Sequence, residues 1–250
     1  MVSHLLAGWD CIKSNKERRC NELKKLSYFL MVMMMVLGLS VQAHATLTTI
    51  GSATYNSVDY NLIYDDDRGI AWLDYSNNPN LWLNQVNWAD GLNDASVLTY
   101  NLNPGETMTW SGNWRLPSAL NQDGSGPCAG LNCAGSEMGH LFYGELGGTA
   151  ESSILTSGDP DLALFTNLQP DHYWSGTVDT AYWYYGWEFD FYNGHQNTDW
   201  IYYENRFFYA LAVRPGERST SVPEPATLLL LGSGLAGIAV WRKRLGRKEG

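Results

Sequence analysis

The stretch WEFDFYNG, residues 187–194, indicates the fold class of this 250-residue chain. Trp187, Phe189 and Phe191 alternate with polar residues, which is the period of a strand with one apolar and one polar face. Asn193-Gly194 follows and favours the positive φ angles of a tight hairpin turn. The stretch therefore predicts an antiparallel hairpin whose three large apolar side chains pack in the core.

Other short runs along the chain extend this pattern. Strand-like runs occupy residues 58–65, 69–75, 172–178 and 207–216. The last run is expected to end at Pro215, because proline lacks a backbone N–H. Apolar residues at helical spacing predict one helix over about residues 81–94 and a second one capped by Ser136. The apolar stripe of the second helix is Met138, Leu141, Phe142 and Leu146.

The N-terminal residues 1–45 have the three parts of a secretory signal peptide. Lys24 and Lys25 precede an apolar run, and the small-x-small sequence Ala43-His44-Ala45 ends it. We expect cleavage after Ala45; the alternative is an uncleaved N-terminal anchor helix.

The C-terminal residues 223–250 combine Pro223-Glu224-Pro225, an apolar segment at 226–241 and a basic tail at 242–248. A helix of these 16 apolar residues is about 24 Å long, which makes it a marginal span for a bilayer core of about 30 Å. The alternative is a buried C-terminal helix of the globular domain. The basic tail fits the cytoplasmic side of a transmembrane helix.

This C-terminal arrangement resembles the PEP-CTERM sorting signal of Gram-negative bacteria. The resemblance implies that an exosortase, a membrane protease-transpeptidase, recognises the triplet and removes the tail. It also implies an exported protein that is held transiently in the inner membrane and then lies in the cell envelope or extracellular matrix. Exopolysaccharide production often accompanies this system.

The remaining residues 46–222 have the size of one domain and a strongly acidic composition. They contain five arginines, no lysine and 21 acidic residues, a formal net charge of −16. Such a charge argues against binding to nucleic acid or to anionic lipid surfaces. It suits a soluble surface protein or a protein that holds cations.

The only two cysteines of this domain, Cys128 and Cys133, lie in a glycine-rich stretch. In an oxidising compartment such a close pair is expected to form a disulfide. The alternative is half of a metal site, but zinc takes four ligands and no second cysteine pair exists here.

Residues 60–216 resemble the domain at the C-terminal end of the Lcl collagen-like adhesin. The most specific motifs are Trp114-Arg115-Leu116-Pro117 and Tyr173-Trp174-Ser175. The resemblance implies an irregular α+β domain with an antiparallel sheet, like C-type lectins and the formylglycine-generating enzyme. A cysteine-bearing insertion after Pro117 departs from the family. We do not transfer the copper-binding cysteines of the formylglycine relatives to this chain, because the surroundings of Cys128 and Cys133 do not match.

Two groups of acidic residues are candidates for chemistry. Asp65, Asp66 and Asp67 could hold calcium on a loop, although consecutive acids cannot all point inward and a solvated turn is the alternative. Glu188 and Asp190 share a strand face about 7 Å apart, a separation compatible with glycoside hydrolysis. Three histidines, His140, His172 and His195, occur singly, so the sequence predicts no histidine pair for a metal.

The aromatic residues offer a different kind of site. Residues 180–209 contain 14 aromatic residues among 30, interleaved with Asp and Asn. Flat rings with polar tips are suited to sugar binding, and the candidates are Tyr182, Tyr184, Tyr192 and Trp200. The alternative is that these rings cover a second layer of the domain. The sequence therefore predicts a secreted, non-enzymatic binding or structural module of the exopolysaccharide or envelope matrix; the alternative function is a carbohydrate-active enzyme that uses Glu188 and Asp190.

Overall fold

The computed structural model describes residues 47–202 and 204–220. Its strands are β1 (Thr48–Tyr55), β2 (Val58–Asp65), β3 (Ile70–Asn80), β4 (Thr99–Leu102), β5 (Glu106–Trp110), β6 (His172–Val178), β7 (Tyr185–Asp190), β8 (His195–Trp200) and β9 (Phe208–Thr220). Its helices are α1 (Trp82–Gly91), α2 (Glu137–His140), a π-helical segment (Leu141–Glu145) and two 3-10 turns (Ile154–Thr156 and Pro160–Leu164). The predicted signal peptide, 1–45, and sorting segment, 223–250, lie outside the described residues. None of the described helices has the length and apolar character that a bilayer span requires.

The strands form one sheet in the order β4-β1-β2-β3-β9-β6-β7-β8, and β5 pairs with the far end of β9. The strand pairs are antiparallel except β6 and β9, which meet in parallel at Tyr173 and Tyr209. The predicted antiparallel sheet is confirmed. The helical content is smaller than an α+β description suggests, because α1 has ten residues and α2 only four. The lectin-like fold itself stays a prediction.

The hairpin predicted from residues 187–194 is present as β7 and β8. Trp187, Phe189 and Phe191 are buried as expected. The polar face of β7 is also buried: Glu188 and Asp190 are 5% and 4% exposed. His172 of β6 lies over this face, with Nδ1 2.9 Å from Glu188 Oε2 and Nε2 3.6 Å from Asp190 Oδ2.

The last strand, β9, does not end at Pro215 as predicted but continues to Thr220. Pro215 is the last residue of β9 that pairs with β3, and Gly216 is the first that pairs with β5. The missing N–H of the proline therefore falls at the junction of two ladders, where it interrupts neither.

Apolar side chains of the central strands alternate between two buried faces. Trp72 joins Phe142 and Phe189 in one cluster, whereas its neighbour Leu73 joins Trp114 in another. The predicted cap of the second helix is confirmed, since the Ser136 hydroxyl accepts a hydrogen bond from the Gly139 N–H. The predicted stripe of that helix is buried throughout: Met138, Leu141, Phe142 and Leu146.

Candidate functional site

Six aromatic side chains form a contiguous group where β7 begins and β8 ends. This aromatic cluster consists of Tyr182, Trp183, Tyr184, Tyr185, Trp200 and Tyr202. Neighbouring rings have centroids 5.1–6.2 Å apart, for example 5.7 Å between Trp183 and Tyr202 and 5.5 Å between Tyr184 and Trp200. The cluster is therefore a continuous patch of rings rather than a set of isolated side chains.

The cluster faces solvent to an unusual extent. Trp183 is 69% exposed, Tyr202 is 61% exposed and Tyr182 is 55% exposed. Within the part of the chain that the structure describes, the hydroxyls of Tyr182, Tyr184 and Tyr202 form no hydrogen bond. Contiguous exposed apolar surface of this kind marks interaction sites in soluble proteins, and free hydroxyls add directional contacts.

The turn that presents the cluster is held by hydrogen bonds from backbone N–H groups. The Asp179 carboxylate accepts hydrogen bonds from the Ala181 and Tyr182 N–H groups at 2.6 and 3.0 Å. The Tyr185 N–H donates to the Tyr182 carbonyl at 2.9 Å, which closes the turn before β7. Asp residues favour such turns because the side chain bonds its own following backbone. The rings thus project from an ordered turn.

The structure brings together three of the four residues predicted to bind a ligand: Tyr182, Tyr184 and Trp200. Tyr192, 63% exposed, lies beyond the opposite end of β7, about 20 Å along the strand from Tyr185. Trp183 was missed because strand alternation was extended into residues 182–184. The Asp179-Thr180 pair before the aromatic run was the available signal for a turn there. Tyr202 was missed because its position beside Trp183 depends on how β8 ends.

The paired carboxylates Glu188 and Asp190 lie under a histidine. His172 Nδ1 is 2.9 Å from Glu188 Oε2, and His172 Nε2 is 3.6 Å from Asp190 Oδ2. The imidazole stacks on Phe208, with ring centroids 4.9 Å apart. Hydrogen bonding to Glu188 raises the pKa of His172, and burial raises the pKa of Glu188. The arrangement can hold a proton between the three groups, and it leaves little of either carboxylate accessible.

The acidic turn after β2 divides into an inner and an outer part. Asp65 is fully buried, whereas Asp66 and Asp67 are exposed, so the three consecutive residues do not form one calcium loop. The neighbours of Asp65 are instead His140 and Glu145, whose side-chain atoms lie within 4.8 Å of it and of each other. Sequence reasoning treated His140 as an isolated residue, because 75 residues separate it from Asp65.

The motif residues Trp114–Pro117 and Tyr173–Ser175 join elements of the fold. Arg115 exchanges both backbone hydrogen bonds with Val213 of β9, and its guanidinium contacts Glu137 of α2 twice at 2.7 Å. Trp174, fully buried, donates to the Asn80 carbonyl at 3.2 Å. Both motifs therefore act as structural connectors in this chain. A cleft of about 570 Å³ lies between α1 and the motif residues Trp114, Arg115 and Leu116.

The predicted disulfide between Cys128 and Cys133 is present. Its loop is attached to β8 through Gln196, whose backbone exchanges two hydrogen bonds with Gly130 at 2.8 and 2.9 Å. The buried Gln196 side chain also donates to the Cys128 carbonyl at 2.7 Å. The insertion is thus docked on the sheet, on the strand that ends at the aromatic cluster.

Comparison with known families identifies the C-terminal segment. Residues 221–244 match the PEP-CTERM protein-sorting motif. This motif includes the predicted triplet Pro223-Glu224-Pro225 and the whole of the predicted span at 226–241. The match supports an exosortase-sorted protein that is exported and associated with the bacterial cell envelope or extracellular matrix. No curated protein and no solved structure matches the chain.

The PEP-CTERM motif and the aromatic cluster belong to different parts of the chain. The motif is a sorting signal, whereas the described residues 47–202 and 204–220 carry the surface that the exported protein presents. The function of the exported part therefore depends on that surface.

Proposed function

We propose that this protein is an exported, exosortase-sorted and non-enzymatic module whose aromatic cluster binds polysaccharide of the cell envelope or matrix. The observation that carries the proposal is the contiguous exposed patch of six rings on an ordered turn. The Lcl-like family resemblance points in the same direction, since that domain occurs in bacterial surface proteins.

The chemistry of the patch suits a sugar chain. The C–H faces of pyranose rings stack on flat aromatic side chains, and their hydroxyls exchange hydrogen bonds with tyrosine hydroxyls. Trp183 and Tyr202 would supply the outermost stacking faces, because their rings are the most exposed of the cluster. A long polymer can contact several such modules at once, so modest affinity for each site suffices for retention in a matrix.

The charge of the domain restricts the polymer. With a net charge of −16 over residues 46–222, the module repels polyanions at moderate ionic strength. Asp179 and Asp199 lie at the base of the cluster, and Asp199 is paired with Arg206 at 3.1 Å. We therefore propose a neutral polysaccharide, or the neutral segments of a mixed one, as the ligand.

The burial of Glu188 and Asp190 weighs against the alternative of a glycoside hydrolase. Such an enzyme needs two carboxyl groups that reach the scissile bond. Here the carboxyls are 5% and 4% exposed, and His172 contacts both. Hydrolysis would require the two carboxyls to become accessible, whereas the rings of the aromatic cluster are already exposed.

Polysaccharide binding by the full chain, purified in detergent, tests the proposal. The probes are matrix polysaccharide from the producing bacterium, a neutral glucan and a polyuronate. We expect binding to the first and to neutral polymers, and we expect Trp183→Ala and Tyr202→Ala to weaken it at least about tenfold, roughly 1.4 kcal/mol. Tyr192→Ala is the matched control, because Tyr192 is equally exposed but lies outside the cluster.

Two results would overturn the proposal. One is the absence of binding to every polymer tested. The other is equal loss of affinity in Tyr192→Ala and Trp183→Ala, which would mean that binding does not depend on the cluster. Because Trp183 is mostly exposed, its replacement should leave the thermal unfolding midpoint unchanged, and this separates lost binding from lost folding.

A further inference from the structure

Three side chains from two distant parts of the chain converge beneath the turn between β2 and β3. Asp65 ends β2, His140 ends α2, and Glu145 ends the π-helical segment. His140 Nε2 lies 3.0 Å from Glu145 Oε1 and 3.8 Å from Asp65 Oδ1. We refer to these three residues as the His140 site; Asp67 Oδ2 lies at its rim, 3.8 Å from the same nitrogen.

The π-helical turn is the backbone feature that assembles this site. In an α-helix, residues five positions apart point in different directions, because one turn takes 3.6 residues. Here the Leu146 N–H donates to the Leu141 carbonyl, a five-residue step that brings His140 and Glu145 to the same side. Such π turns are rare and occur frequently at functional sites. Gly144 leaves room for the imidazole, since a Cβ there would lie 3.1 Å from His140 Nδ1.

Polar atoms of the site are buried and lack partners. Asp65 is fully buried, and its Oδ2 accepts no hydrogen bond from any described residue. His140 Nε2 is also buried without a hydrogen bond of normal geometry, although three carboxylates surround it. The Trp72 indole N–H is also buried and has no hydrogen-bond partner of normal geometry. Unpaired buried polar groups are costly, so their convergence indicates a site that binds a ligand.

The charges of the site are also unbalanced. Among the described residues, the ion-pair partner of both Asp65 and Glu145 is His140 alone. Asp65 Oδ1 also accepts a hydrogen bond of 3.0 Å from the backbone N–H of Arg68, which brings no full charge to the site. Asp65 is fully buried and Glu145 is nearly so, and burying a carboxylate charge without a matching cation is costly. A bound cation would offset that cost and orient all three side chains.

We propose that Asp65, His140 and Glu145 bind one divalent transition-metal ion of the zinc type. Calcium takes oxygen ligands, whereas an imidazole together with carboxylates suits zinc or manganese. Ligand atoms around tetrahedral zinc lie about 3.4 Å apart, so the observed 3.0 and 3.8 Å require only small adjustments. Asp67 or a water molecule would complete the coordination.

The ion has a structural role in this proposal. It ties the β2–β3 turn to α2 and the π-helical segment, whose side chains Leu141 and Phe142 pack in the core. The ion is deeply placed, since the side chains of Asp65 and Glu145 are 0% and 6% exposed. We therefore expect metal binding to stabilise the fold rather than to activate a substrate.

Metal analysis of the full chain, purified in detergent and dialysed against zinc, tests the proposal. We expect one tightly held zinc ion that His140→Gln and Glu145→Gln remove, together with a rise of several degrees in the unfolding midpoint of the wild type on zinc addition. The matched control is His172→Gln, which alters the other histidine–carboxylate group and should retain the ion. X-ray absorption on the zinc-loaded wild type should show one imidazole with oxygen ligands and no sulfur.

The outcomes are distinguishable even if a variant folds poorly. Sulfur ligation would assign the ion to Cys11 or Cys20 of the leader and overturn the proposal, as would the absence of zinc binding by the wild type. Retention of zinc in a folded His140→Gln chain would also overturn it. Calcium binding without zinc binding would show that the imidazole is not a ligand.

Discussion

His172 and Glu188 form a partly buried hydrogen bond of 2.9 Å between Nδ1 and Oε2, on strands β6 and β7. The bond places a titratable pair at the centre of the second half of the sheet. Hydrogen bonding to Glu188 raises the pKa of His172, while burial raises that of Glu188. Both groups therefore hold protons more tightly in the folded state than in the unfolded state.

The first prediction concerns the pH dependence of stability. A raised His172 pKa contributes stability that is fully present below its unfolded value of about 6.5 and is lost as pH rises through the folded pKa. The free energy of unfolding should thus fall above pH 6.5, by about 1 kcal/mol or less, because solvent screens the partly exposed imidazole. Denaturation at several pH values should give a flatter profile for His172→Gln. His195→Gln is the control, and an unchanged slope in His172→Gln would contradict the assignment.

The second prediction concerns the connection between the Trp-Arg-Leu-Pro motif and α2. Glu137 accepts two hydrogen bonds from Arg115 and one from the Ser118 N–H, all at 2.7 Å. Glu137→Gln should lower the free energy of unfolding by about 1–3 kcal/mol, because it leaves a charged partner incompletely bonded. Arg206→Gln, at an ion pair whose arginine is half exposed, should cost no more than about 0.5 kcal/mol. Equal losses of unfolding free energy in the two variants would contradict the structural role of the Trp-Arg-Leu-Pro motif.

The antiparallel hairpin at β7 and β8 could be predicted from the sequence, because alternation and an Asn-Gly turn are local signals. The strands β1, β4 and β5 were missed, since each is short or only partly buried and its pairing depends on distant residues. The burial of Glu188 and Asp190 was missed because it depends on side chains that are distant in the sequence. A single strand does not reveal which neighbours cover its polar face.

The candidate sites follow the same division between local and distant information. Tyr182 and Tyr184 were identifiable from the local density of aromatic residues, but the grouping with Tyr202 depends on how β8 ends beside the turn. The His140 site could not be predicted, because a π turn places Glu145 beside His140 and because Asp65 is 75 positions away from His140 in the sequence. Helical spacing at 3.6 residues per turn would place Glu145 on a different face of the helix from His140.

The third prediction concerns the disulfide loop. Cys128 and Cys133 are five positions apart, so the loop-entropy relation gives only about 2 kcal/mol for the bond. Reduction, or Cys128→Ser with Cys133→Ser, should lower the free energy of unfolding by this amount. It should also speed hydrogen exchange at the Gly130 and Gln196 N–H groups, which pair the loop with β8. Cys11→Ser with Cys20→Ser is the control and should change neither quantity; unchanged exchange in the loop variant would show that β8 alone holds the loop.

The fourth prediction concerns sorting. Residues 221–244 match the PEP-CTERM motif, whose triplet is Pro223-Glu224-Pro225. If the triplet is the recognition element, replacing all three residues with alanine should leave the apolar segment 226–241 attached and the chain in the membrane fraction. Mass spectrometry of the product should then find peptides from residues 226–250, which the processed wild type lacks. Ser233→Ala, in the apolar segment, should be processed normally, because it changes neither the triplet nor the basic tail. Identical C-termini in the triple variant and the wild type would mean that the triplet does not direct the cut.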